Sequence, residues 1–160
     1  MKQGAFLHKM LIADSTPMIA HGLKAVFSDG SFPGLVAIAS CKVDLMDRLQ
    51  HSQIDVLFLD PAFVQRDLDL GNVDLLYQFR NRFPVVPILL YTAVTNPVVL
   101  ELLICLERTC IVHKTDDVTD MQRILARLMS GEFSLRSPKT EKILREGSHL
   151  RDLMPDVFAP

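Results

Sequence analysis

The chain lacks a marked excess of either charge, any cysteine spacing that could hold a metal, and any apolar run long enough for a bilayer. Seventeen basic residues face nineteen acidic ones, so overall charge points neither to a nucleic-acid surface nor to an anionic membrane. DNA would have to be contacted through a different part of the protein. Cys41, Cys105 and Cys110 lie in apolar stretches without CxxC or Cys/His spacing, and the expectation is reduced thiols in the core of a cytoplasmic protein. His8, His21, His51 and His149 are scattered along the chain, which speaks against a zinc-type site. The longest apolar run, 97–106, is broken by Glu101 and too short to span a membrane. Residues 1–10 have no apolar core or small-residue cleavage site, unlike a signal peptide. Glycine signatures are missing as well. No GxGxxG follows the first strand candidate, and neither GxxxxGK[ST] nor GxSxG occurs, so a dinucleotide fold, a P-loop and a nucleophile elbow find no support.

What is present is alternation. Apolar runs of strand length recur at 10–13, 35–39, 56–59, 86–91 and 110–112, each rich in Val, Ile or Leu. They are continuously apolar rather than alternating, as strands covered on both faces are. Helical spacing fills the gaps. Residues 17–28 place Ile19, Leu23, Val26 and Phe27 on one face, with Thr16 positioned to cap and Pro17 in the first turn. Residues 43–50 carry Leu45, Met46 and Leu49, and the next helix shows Leu75, Leu76, Phe79 and Phe83 before Pro84 stops it. Residues 118–130 turn Met121, Ile124, Leu125 and Leu128 inward and end at Gly131. Residues 97–106 are apolar nearly all round, which fits either a deeply packed helix or one covered by a partner. Strict alternation with one helix per crossover predicts a single α/β domain, a flavodoxin-like doubly wound five-stranded parallel sheet of order 2-1-3-4-5.

Such sheets bind ligands beyond the carboxyl ends of their strands. Here those ends read Asp14-Ser15, Asp60, Thr92 and His113-Lys114. A carboxylate pair, a hydroxyl and an ammonium make an acidic pocket suited to a divalent cation and a phosphoryl group. His113 is read as a structural residue.

The fragments IADSTP, VLFLDP, YTA and IVHK resemble the acidic turn, phosphoacceptor strand, switch threonine and active-site lysine of bacterial response-regulator receiver domains. The resemblance spans residues 8–130, and IADSTPMIAHGLKAVF, TNPVVLELL and LMSGEFSLRSP look closest to the NarL/LuxR-type subgroup, including capsule regulators of the Rcs system. It implies Asp60 as phosphoacceptor, Thr92 as switch hydroxyl and Lys114 as phosphoryl-binding cation. It further implies Mg²⁺ held by Asp14, Asp60 and the carbonyl of Ala62. The implied partners are a histidine kinase and a second copy or a related regulator, in a cytoplasmic transcriptional regulator that is not itself an enzyme. Three positions depart from the family: Ser15 stands where a second acid touches the metal, PAFVQRDLDLG lacks the usual Met-Pro pair, and Thr115 replaces a common proline. A neutral Ser15 lowers the expected Mg²⁺ affinity. The alternative reading is a phosphorylation-independent pseudo-receiver acting as a dimerisation or docking module. The receiver is expected over residues 1–131, followed over 132–160 by a linker or partner-binding tail with a weak helix from Ser137 and no DNA-binding domain.

Overall fold

The computed structural model describes residues 7–30, 32–68 and 71–153, the last four as backbone alone. β1 (His8–Ala13), β2 (Gly34–Ile38), β3 (Val56–Leu59), β4 (Ile88–Thr92) and β5 (Thr109–His113) alternate with α1 (Pro17–Ser28), α2 (Lys42–His51), α3 (Asp74–Arg82), α4 (Pro97–Ile104) and α5 (Val118–Met129). A 3-10 turn, Pro61–Phe63, follows β3, and α6 (Pro138–Leu153) follows α5. All pairings are parallel, in the order β2-β1-β3-β4-β5. β4 begins later than the apolar run, because Pro87 has no N–H to give the ladder.

Alternate side chains of each strand feed two cores. Leu11, Leu57, Leu59, Ile88, Leu90 and Ile111 pack with α2, α3 and α4. Met10, Ile12, Val56, Phe58, Leu89 and Val112 pack with α1 and α5. A fully buried Leu or Phe is worth roughly 1.5–3 kcal/mol, so burial on both faces is what holds five short strands in one sheet. β2 approaches β1 closely: a Cβ on Gly34 would lie 2.0 Å from the His8 carbonyl oxygen, so only glycine fits there.

Helix ends follow the local chemistry, with one correction. Thr16 occupies the N-cap of α1 but its side chain makes no capping bond. The Asp14 carboxylate instead accepts the Thr16 N–H at 2.8 Å, and the Thr16 carbonyl receives Ile19 and Ala20. α5 ends as predicted: Gly131 adopts a positive φ of 94°, and the N–H groups of Gly131 and Glu132 return to the Leu128 and Arg127 carbonyls. In α3, Leu76 and Phe79 are buried whereas Leu75 stays 43% exposed. Arg80 donates to the Pro84 and Val86 carbonyls, holding the turn that ends the helix; burial lowers its pKa to about 10.

The start of α3 depends on a residue in the loop after β3. Gln65, almost fully buried, accepts the Leu75 and Leu76 N–H groups and donates to the Asn72 carbonyl at 2.7 Å. Gln65→Leu leaves these groups unsatisfied and is expected to lower stability by about 2 kcal/mol. Urea unfolding measures this; a midpoint equal to wild type refutes the role.

The cysteines require a second correction. Cys110 is buried, but Cys41 and Cys105 are exposed, because they sit at the N-cap of α2 and the C-cap of α4. The apolar surround of α4 is covered in part within the chain, while Val98 stays 40% exposed and Leu102 and Ile104 are half-buried. Val99, Leu100 and Leu103 are fully buried, and Ile143 and Leu144 of α6 join the same core. Of the apolar tail residues, the side chains of Leu150 and Leu153, and all of Met154, Val157 and Phe158, lie outside the described residues. No helix among the described residues is long and apolar enough to cross a membrane.

Candidate functional site

The parallel register brings β1 and β3 to the same height, Ala13 opposite Leu59, so the next residues, Asp14 and Asp60, emerge side by side. The Asp60 N–H donates to the Ala13 carbonyl at 2.8 Å. β4 and β5 pair Thr92 with His113, and the Lys114 N–H donates to the Thr92 carbonyl at 2.8 Å, which delivers Lys114 to the same edge.

Its ammonium lies between the two acids. Nζ is 3.0 Å from Asp14 Oδ2 and 3.2 Å from Asp60 Oδ2. The three side chains are only 15%, 2% and 8% exposed for Lys114, Asp14 and Asp60. Burial by itself lowers the lysine pKa, but the hydrogen bond to Asp14 and the charges of Asp60 and Asp14 outweigh it, so the pKa is raised from the ordinary 10.5. Nζ also sits 5.7 Å from the centre of the Tyr91 ring, which itself packs edge-on against Phe58 at 5.1 Å.

Asp60 is held on both oxygens. Oδ1 accepts the Ala62 N–H at 3.1 Å. Oδ2 accepts the Ser15 hydroxyl at 2.9 Å and Lys114 at 3.2 Å. Ser15 is therefore a hydrogen-bond donor to Asp60. No sequence pattern announces this, because a serine beside an aspartate at a strand end equally suits a turn. Thr92 is buried, and its hydroxyl accepts the Val94 N–H at 3.0 Å. It is turned to the β4–α4 loop and makes no hydrogen bond with Asp60. His113 is buried, its Nδ1 facing the Thr115 N–H and hydroxyl. Burial lowers its pKa, against the opposing charge of Asp116, which favours the neutral ring.

Among the described residues no three His, Cys, Asp or Glu side chains converge, so a divalent ion here would rest on two carboxylates. The donors are hard oxygens, the kind Mg²⁺ accepts when waters complete its shell, and Asp14 Oδ2 faces Lys114 with no other partner among the described residues. The donor set fits Mg²⁺ in kind, with low charge. Beside it opens a cavity of about 800 Å³ lined by Asp14, Ser15, Ala62, Phe63, Leu75 and Lys42, among others.

No protein-family model and no curated protein sequence matches the chain. Solved structures do. The RcsB response regulator of Salmonella typhimurium, in a study of conformational dynamism for DNA interaction, superposes with a TM-score of 0.74 at 20% identity, over 89% of this chain and 67% of that one. The isolated REC domain of RcsB from Salmonella enterica serovar Typhimurium, with the phosphomimetic BeF₃⁻, gives 0.72 at 21% identity, over 86% of this chain and 99% of that one. The chain has the receiver fold. A structure of two RcsB dimers bound to two parallel DNAs matches with a TM-score of 0.73 at 22% identity, over 89% of this chain and 69% of that one. At such identities the likeness concerns the fold, and the chemistry rests on the side chains described above. In this receiver fold Asp14, Asp60 and Lys114 meet at the sheet edge, joined by Ser15, while Thr92 is linked to them through backbone.

Proposed function

We propose that this chain is the receiver domain of a two-component response regulator, taking a phosphoryl group from a histidine kinase onto Asp60. The observation that carries the reading is the lysine seated between two buried carboxylates at the β1/β3 edge. In the transfer, an Asp60 oxygen attacks phosphorus, the bond from phosphorus to the donor breaks, and an acyl phosphate forms. Lys114 moves from neutralising a carboxylate to neutralising phosphoryl oxygens, a charge-assisted contact that strengthens as charge builds. Ser15 and the Ala62 N–H orient the attacking carboxylate. Asp14, Asp60 and the Ala62 carbonyl would hold Mg²⁺, which when bound would supply positive charge to offset the negative charge of the phosphoryl group. The output proposed is altered pairing with a second copy or a related regulator, inside a cytoplasmic transcriptional regulator whose DNA contacts come from another domain. The RcsB dimers on DNA support this by analogy.

A second reading draws on a specific observation: Asp60 Oδ2 is already satisfied by Ser15 and Lys114, so the site holds together without metal or phosphate. That suits a pseudo-receiver, a docking module that never accepts phosphate. Acetyl phosphate, or beryllofluoride, with Mg²⁺ separates the two. An intact-mass gain on wild type that is lost completely in Asp60→Asn is expected. No gain at any Mg²⁺ concentration favours the pseudo-receiver.

A further inference from the structure

β5 is the last strand of the sheet, yet its edge is not bare. Residues 134–137 run along it. The Ser134 N–H donates to the Thr109 carbonyl at 2.8 Å, the Ile111 N–H to Leu135 at 2.9 Å, and the Ser137 N–H to Ile111 at 2.9 Å, with a parallel bridge between Ile111 and Arg136. This backbone pairing covers an edge that would otherwise invite another strand.

From there the chain enters α6 through a buried polar joint. The Ser137 and Thr140 hydroxyls, both inaccessible to solvent, hydrogen-bond at 2.8 Å. The His113 N–H, one residue before Lys114, points at Asp116 Oδ2 at 2.9 Å and Ser137 Oγ at 3.2 Å. The other Asp116 oxygen accepts the Lys139 N–H at 3.0 Å. One carboxylate thus ties the backbone beside Lys114 to the first turn of α6, where its charge also suits the helix dipole. Further along, Ile143 and Leu144 pack with α4, and Gly147 rests on Pro97, the first residue of α4, so closely that an added Cβ would come within 2.4 Å of the proline ring.

We infer that residues 134–149 form a latch that reads the position of the Lys114 segment and passes it to the start of α4. Lys114 is tied by its side chain to Asp14 and Asp60 and by its N–H to Thr92. A change at Asp60 that moves the ammonium acts on His113, and through Asp116 and Ser137 on the seating of α6. Ile143 and Leu144 are the large described side chains that seat α6 in the core it shares with α4, so a shift of its first turn is passed to α4 through packed contacts. The receiver reading supplies the natural signal. The mechanical link itself belongs to the unmodified chain.

Hydrogen exchange read by mass spectrometry on the whole chain, without any phosphodonor, tests the link. Asp116→Ala removes both arms of the carboxylate bridge and should speed exchange over 138–149 by about tenfold, with β1, β3 and α5 unchanged. Asp116→Asn keeps an acceptor oxygen and should fall between. In the reverse direction, Gly147→Val lifts α6 from Pro97 and should shift the Lys114 and Thr92 amide resonances. Unchanged α6 exchange in Asp116→Ala overturns the latch, as does an α6 loosened by Gly147→Val with both resonances unmoved, which makes the helix a static cover. Because no phosphate is involved, failure of Asp60 to accept a phosphoryl group leaves this outcome unaffected.

Discussion

Lys114→Met is expected to lower stability near neutral pH by about 3 kcal/mol, because it leaves Asp14 and Asp60 buried side by side with no counter-charge. Methionine keeps most of the stem, so the change isolates the ammonium. The pH dependence is a sharper check. Lys114 has its pKa raised above 10.5 by its two acids, so it binds its proton more tightly folded than unfolded. Its contribution is fully present below that ordinary value and is lost as pH rises through the higher folded value. The gap between wild type and Lys114→Met should therefore be widest below pH 10.5 and narrow on the alkaline side. Urea midpoints from neutral to alkaline pH measure this. A constant gap, or a variant as stable as wild type, would mean that water rather than the lysine neutralises the carboxylates.

The second large effect concerns Ser15→Asp, which should turn a self-satisfied site into one that wants a divalent ion. The substitution replaces a donor 2.9 Å from Asp60 with a third carboxylate. Without metal, like charges should destabilise the fold by about 1–2 kcal/mol. With Mg²⁺ a third hard oxygen ligand is available, and affinity should rise at least about tenfold. Binding to the folded state alone stabilises by mass action, about 2.7 kcal/mol at a hundred times Kd, so the melting temperature of Ser15→Asp should climb steeply with Mg²⁺ while wild type climbs little. Parallel Mg²⁺ dependences in the two proteins would show that Ser15 does not limit the metal, and would return attention to Lys114 as the resident cation between the carboxylates.

Some of the site was legible in the residues and some was not, for one physical reason. Asp14, Asp60 and Lys114 each follow an apolar run, and a parallel sheet puts all such positions on one edge, so their meeting follows from strand order. Ser15 as a donor to Asp60, Gln65 as the cap of α3, and Asp116 as the tie between β5 and α6 carry no periodic signal. Each acts through one directed hydrogen bond across a loop, and loop geometry is set by what surrounds it. The misplaced cysteines have the same origin. Cys41 and Cys105 sit in apolar stretches, yet both fall at helix termini, where the side chain is exposed although its neighbours in sequence enter the core.

By itself the sequence determined the alternation of strands and helices, the two-faced burial of the sheet and its winding, because these depend on hydrophobic period and on the handedness of crossovers. The tertiary structure alone decided that the acid at Asp60 is held by Ser15 and Lys114 together, and that one side of α4 shares a core with the chain's own α6. Directed contacts between distant segments depend on where whole elements come to rest, and packing sets that rather than any local pattern of residues.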